Sequence, residues 1–248
     1  MVGFGLIAGM LLAARDPQIR ENRRLLGALS MVMLVGLVFI NLAVLFVLPW
    51  VAAAAVWGGT GLLILWLALY LQQRAAFLLS EWLGWGIVPP TVVREVEPFG
   101  VGSLQAYVDN DGSHYFPLLE TRPDLHPQFR RMAVFDLLAN NTDRKSGHVL
   151  LGHLPGTGSD EQVWGIDHGL CFHQDPKLRT VIWDFAHEEV EAELVDTLAP
   201  LVDAVPDEVA SLLTEPEVAA LRARASRIVR LPWLPEPRSH YQFPWPLV

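Results

Sequence analysis

From Leu25 to Gln73 the chain carries no charged side chain. As a single helix at 1.5 Å per residue, such a run would extend roughly 73 Å, more than twice the ~30 Å hydrocarbon core of a bilayer, so one pass cannot use it up. Two passes can. The run therefore predicts a transmembrane hairpin, with helices near residues 26–48 and 51–71. Its turn is expected at Pro49–Trp50, where proline cannot continue a helix and tryptophan suits an interface. A break at Gly58–Gly59 is the alternative and leaves the second span short. The competing reading is a buried hydrophobic hairpin within a domain, disfavoured because so long an apolar run has no solvent face.

The flanks set the orientation. Arg15, Arg20, Arg23 and Arg24 precede the first span and Arg74 follows the second, while the turn is uncharged. The positive-inside rule then places both ends, and everything after residue 73, on the cytoplasmic side of a cell inner membrane. Residues 1–14 are apolar but too short to span and lack the basic start of a secretory signal, which suggests an interfacial or re-entrant helix. A remnant of a longer span and a cleaved signal are the other options.

Charge divides where hydrophobicity does. Residues 1–74 hold five arginines against Asp16 and Glu21, a net +3, and the rest of the chain carries −12 of the total −9. An acidic body excludes a phosphate-backbone partner, so no nucleic acid is expected. The basic amino-terminal patch instead suits a lipid bilayer and its anionic headgroups. Cys171 is the only cysteine, so no internal disulfide exists; in an apolar run it reads as a core residue rather than a reactive thiol.

Beyond Arg74 the helical period continues through Trp82 and ends at Gly84–Gly86, and Pro89–Pro90 opens an extended segment. Thr91–Val96 and Ser103–Val108 predict a hairpin, Asp109–Gly112 a turn, and His114–Leu119 a further short strand. Phe129, Met132, Phe135 and Leu138 recur at helical spacing and predict a helix that delivers the chain to Asn140. Val149–Leu151 and Gln162–Ile166 read as a second hairpin. Glu188–Leu201, Pro206–Leu213 and a segment opened by the capping-box pair Thr214 and Glu217 read as helices. The tail, residues 231–248, is rich in proline and aromatics and is expected to lie extended on the domain.

Two stretches carry the chemistry, NNTDRKSGH (140–148) and WGIDHGLCFH (164–173). The first sets Asp143 in a polar loop with a polar side chain five residues on; the second ends an apolar run on Asp167, followed by His168 and Gly169. Metal-dependent phosphoryl transfer needs this layout: one loop carboxylate to orient an acceptor hydroxyl and others, from a separate loop, to hold Mg²⁺ between phosphates. Taken singly, each Asp reads as a turn residue; two at compatible spacing, each ending an apolar element, reverse that. Arg144 is placed to pair with Asp167 or with phosphate, and Asn140 and Asn141 to support the loop. His148 stands at the second metal position, although imidazole is a poorer ligand for a hard cation. His148, His153, His168 and His173 with Asp167 also permit a zinc site and a hydrolase, but no spacing matches a compact zinc motif.

The blocks RAAFLLSEWLGWGIVPPTVV, FRRMAVFDLLANNTDRKSGHVLL, WGIDHGLCFH, KLRTVIWDFA and the terminal PWPLV resemble a bacterial family related to phosphatidylinositol 3-/4-kinases and, more distantly, to HipA-type kinases. The resemblance runs from about Arg74 to Val248. It implies an α+β fold: a protein-kinase-like carboxy-terminal lobe, mostly helical with short β-hairpins, here preceded by the transmembrane hairpin of residues 1–73. It implies ATP and Mg²⁺ as ligands, Asp143 with Arg144 as catalytic-loop residues, and Asp167 with His148 at the metal. Gln105 and Tyr107, in a hinge-like segment, and Asn141 would lie on the nucleotide side, and the acceptor would be a lipid or a protein. Such proteins begin with a β-rich lobe whose lysine binds ATP phosphates. Here Lys145 and Lys177 are the only lysines, neither upstream of Asp143, and arginine is a poor substitute. The expectation is thus a membrane-anchored, kinase-like phosphotransferase with an incomplete site and weak or no activity, or a non-catalytic adaptor built on the same lobe.

Overall fold

Helix α1, described over residues 69–82, begins in the last residues of the uncharged run and continues past Arg74 into the protein core. Ala75, Ala76 and Leu79 are fully buried and Leu83 nearly so, one face at helical spacing. The computed structural model describes residues 31–32, 35–36, 69–98, 100–158 and 160–248. The chain divides into two units, Met1–Leu63 and Ile64–Val248. Of the first, the described residues are Met31, Val32, Val35 and Gly36, all helical.

The expected architecture is corrected here. Among the described residues no helix is long and apolar enough to cross a membrane. The spans placed near 26–48 and 51–71 lie, apart from those four residues and 69–71, outside the described residues. The described end of the second span, 69–71, belongs to α1, a helix whose buried face, Ala75, Ala76 and Leu79, packs in the protein core. The described part is a mixed helix and strand unit, and the assignment to a cell inner membrane, which rested on the two spans, is withdrawn with them.

Strands β1 (Thr91–Val96) and β2 (Gly100–Gln105) form an antiparallel hairpin with Thr91 opposite Gln105 and Val96 opposite Gly100. The second strand begins three residues before its predicted start, because Gly100, at φ 77°, turns the chain where a side chain would be strained. Strand β3 (Asp109–Asn110) then pairs with β4 (Val149–His153), which pairs with β5 (Gln162–Gly165), in a three-stranded antiparallel sheet. A Cβ on Gly152 would collide with the carbonyl of Asp109, so glycine is what lets β3 approach β4.

The predicted strand at His114–Leu119 is instead helix α2 (Tyr115–Thr121). Pro117 falls in its first turn, where the missing N–H costs nothing, and Tyr115 and Leu118 bury one face. Helix α3 (His126–Ala139) is the centre of the core: Phe129, Met132, Val134, Phe135, Leu138 and Ala139 are all fully buried. Each such side chain contributes about 1.5–3 kcal/mol of burial. The helical stretch after residue 186 is more broken than its sequence suggests, comprising α4 (Ala192–Leu198), α5 (Pro200–Asp203), α6 (Asp207–Ala210) and α7 (Glu215–Arg230). Helix α7 starts where predicted, the Thr214 N–H donating to the Glu217 carboxylate at 2.9 Å. The tail runs against the body: Leu234 N–H donates to Glu188 O, Thr180 N–H to Gln242 O and Ser146 N–H to Leu247 O.

Candidate functional site

Helix α3 ends at Asn140, whose left-handed backbone (φ 53°, ψ 52°) breaks the helical ladder. Its side chain then serves as a clamp. Nδ2 donates to the carbonyls of His173 (2.8 Å) and Asp175 (2.7 Å), and Oδ1 accepts from the Lys177 N–H (2.9 Å). Asn141 follows, buried, with Nδ2 donating to Asp136 Oδ1 and Oδ1 accepting from the Asp143 N–H, both at 3.0 Å. Expected on the nucleotide side, Asn141 instead fixes the backbone of Asp143 from beneath.

Arg144 is the largest fully buried side chain of the described part. Its guanidinium forks onto Asp136, itself fully buried on α3, with three contacts of 3.0 to 3.1 Å. The remaining donors reach His148 O at 3.1 Å, Ile166 O at 2.8 Å and His168 Nε2 at 2.6 Å. Thr180 adds a hydroxyl donor to Asp136 at 3.2 Å. One cation thus ties together α3, the loop that bears Asp143 and the loop that bears Asp167. Arg144 meets neither Asp167 nor solvent, so it positions both loops and does not reach a substrate.

Its contact with His168 settles that ring's state. Every Arg144 nitrogen donates, so Nε2 must accept and Nδ1 carries the hydrogen. Complete burial, then the charge of Arg144 and the neighbouring His148, hold the pKa of His168 well below the ordinary value, and the ring is neutral. Its Nδ1–H has no acceptor among the described residues.

Above this buried layer lie the groups that face outwards. Asp143 is about a quarter exposed, and Lys145 Nζ stands 2.8 Å from its Oδ2. Asp167, at φ 56°, is presented on a strained backbone with its side chain 59% exposed. His148 lies between the two loops. Its Nδ1 is 3.0 Å from the carbonyl of Asp143 and 3.5 Å from the backbone N–H of Lys145, an acceptor and a donor on the same nitrogen. Burial first, then Arg144, lower its pKa against the opposing pull of Asp167, and the ring is neutral near pH 7. Its Nε2 faces Asp167 Oδ2 at 3.4 Å.

The residues fit a divalent ion only in part. Among the described residues no group of three or more His, Cys, Asp or Glu side chains converges as a metal cage. Asp167 and His148 supply two donors, one oxygen and one nitrogen, too few to hold an ion without further ligands. A zinc site is not assembled. His168 is committed to Arg144, His153 is paired with Asp109 at 3.7 Å, and Nε2 of His173 meets Lys177 Nζ at 3.0 Å. Cys171 is buried, and burial pushes its thiol far above the range where a thiolate forms.

Helix α1 docks onto the second loop through two adjacent glutamines. Gln73 Oε1 accepts from the backbone N–H of His168 at 2.6 Å and Gln72 Oε1 from that of Cys171 at 3.2 Å. Neither stood out in the sequence. Nor did Lys145, whose spacing of two from Asp143 was the available signal. Gln105 and Tyr107 sit apart from these groups: Gln105 Nε2 donates to Thr91 Oγ1 within the β1–β2 hairpin, and Tyr107 is 70% exposed. Nothing among their contacts joins them to Asp143 or Asp167.

Comparison with known proteins now has a geometry to attach to. No family model matches the chain. Protein Rv2133c of Mycobacterium tuberculosis is 35% identical over 212 residues, which cover 71% of this chain and 74% of that protein. The chain belongs to the same family. Over 42% of its length it is also 32% identical to phosphatidylinositol 4-kinase gamma 5 of Arabidopsis thaliana, across 117 residues. Phosphatidylinositol 4-kinase gamma 4 of Oryza sativa subsp. japonica is 31% identical over 120 residues. The matched parts are 17% and 19% of those plant proteins, so the relation is a kinase-like one restricted to a fragment of their length.

Proposed function

We propose that this chain is a kinase-like phosphotransferase whose Asp143 and Asp167 loops bind ATP and Mg²⁺, and that it does so weakly. The reading is supported by one buried cation, Arg144, and one neutral imidazole, His148, each contacting both loops, and by the partial exposure of both carboxylates. Asp143 is the group to accept a hydrogen bond from an acceptor hydroxyl and orient its oxygen. Lys145, 2.8 Å away, holds that carboxylate in place and supplies the positive charge nearest a transferred phosphoryl group. Asp167, with His148 beside it, holds the ion, which when bound neutralises phosphate charge.

Weak binding follows from the charge inventory. No lysine precedes Asp143 in the sequence. Arg144 is sealed in the interior and neutralised by Asp136. Titration calorimetry of the full chain with ATP, with and without Mg²⁺, tests the reading. Weak, Mg²⁺-dependent binding that Asp167→Asn abolishes is expected. Sub-micromolar affinity would refute the incomplete site, and binding unchanged by Asp167→Asn would remove that residue from it.

A further inference from the structure

In a chain of net charge −9, a cavity of about 560 Å³ is lined by Lys177, Arg179, Arg224, Arg227 and Arg238, with Glu236 as its carboxylate. Glu236 is engaged elsewhere, 3.2 Å from His187 Nε2. Among the described residues none of the five cations forms an ion pair. Arg224 uses Nε and Nη1 on the carbonyls of Leu138 (2.7 Å) and His173 (3.3 Å) and is partly buried. Burial lowers it to about 10, so it stays charged at neutral pH. Two lining residues also hold buried donors with no acceptor among the described residues, Arg224 Nη2 and Trp183 Nε1.

A solvated basic face accounts for the exposed arginines but not for the partly buried Arg224. Gathering five like charges around one cavity is unfavourable unless an anion occupies the space between them. Guanidinium forks suit a tetrahedral dianion, which offers several acceptor oxygens at once. Position extends the argument: Arg179 and Tyr241 also line an adjoining cavity of about 530 Å³ that contains Asp143.

We propose that the basic cavity is a binding site for a phosphate monoester, and that this phosphate is the remote end of the acceptor whose hydroxyl reaches Asp143. The second part rests on the role proposed for Asp143 above; the anion site itself does not.

The test is calorimetric titration of the full chain at low salt with glycerol 3-phosphate and, separately, inorganic phosphate, with ATP and Mg²⁺ omitted. Saturable one-to-one binding of the ester is expected. The double variant Arg227→Glu/Arg238→Glu, at exposed positions without fold contacts, should weaken it by at least about tenfold at unchanged Tm. Arg94→Glu, outside the cavity, should leave it unchanged. Absence of saturable ester binding, or equal weakening by Arg94→Glu, would overturn the site. Binding of inorganic phosphate with exclusion of the ester would overturn the acceptor assignment. Asp167→Asn keeps the two proposals separable: it should abolish Mg²⁺-dependent ATP binding and leave ester binding intact.

Discussion

Replacing Asp136 by Asn is the sharpest test of how the two loops are held. Asp136 is completely buried on α3 and accepts from Arg144, Asn141 and Thr180. The substitution keeps shape but removes the charge, leaving the Arg144 guanidinium buried and uncompensated. Breaking a buried pair in this way costs about 3–5 kcal/mol. At a urea m value of about 2–3 kcal/mol/M, the midpoint falls by roughly 1.5–2 M. Asp143→Asn is the control, since the Asp143–Lys145 pair is partly solvated, with side-chain exposures of 27% and 21%, and should contribute only about 0–1 kcal/mol. Urea titrations followed by tryptophan fluorescence, run above neutral pH so that His148 and His168 stay neutral, measure both. In hydrogen exchange, the Arg144 and Val181 amides, which bridge to the 179–181 segment, should lose protection in the Asp136 variant alone. A cost below about 1 kcal/mol, or no greater than that of Asp143→Asn, would refute the assignment of Arg144 as the tie between the loops.

Two further outcomes follow from the same layer. The folded pKa of His168 lies below its unfolded value near 6.5, so the unfolded chain takes up the proton first. Its contribution to stability is complete above that value and is lost as pH falls towards the folded pKa, with a slope of up to about 1.4 kcal/mol per pH unit. His168→Gln should flatten the pH dependence of the urea midpoint in this window, and an unchanged slope would show that His168 is not its source. Gln73→Ala leaves the buried His168 N–H without its acceptor. A loss of about 1–3 kcal/mol and faster amide exchange at His168 are expected, and unaltered exchange would show that α1 does not hold the loop.

The site was legible where chemistry is local and hidden where it is long-range. Asp143 and Asp167 stand out because each sits in a polar turn at the end of an apolar element. The partner of Arg144 lies eight residues back, and Asp136 reads in sequence as one polar residue on a helix. The clue available was a carboxylate flanked by Phe135 and Leu137 on a segment otherwise apolar on most faces. Gln72 and Gln73 read as the end of an apolar run because their acceptors face N–H groups 95 and 99 residues away. At His114–Leu119 a short run between turn signals reads as a strand, whereas burial of Tyr115 and Leu118 at a spacing of three selected a helix.

The buried position of Arg144 also changes what the loop motif means for chemistry. A basic residue directly after the loop Asp reads as a phosphate ligand, yet here its whole hydrogen-bonding capacity is spent on Asp136, two carbonyls and an imidazole. Cationic charge for phosphate must come from side chains that face outwards near Asp143, and Lys145 and Arg179 meet that condition. Arg179 also lines the basic cavity. Positive charge around Asp143 therefore lies on the side of the tail and α7, towards the basic cavity. On the proposals made above, a site so arranged would hold the anionic end of an acceptor more firmly than a nucleotide.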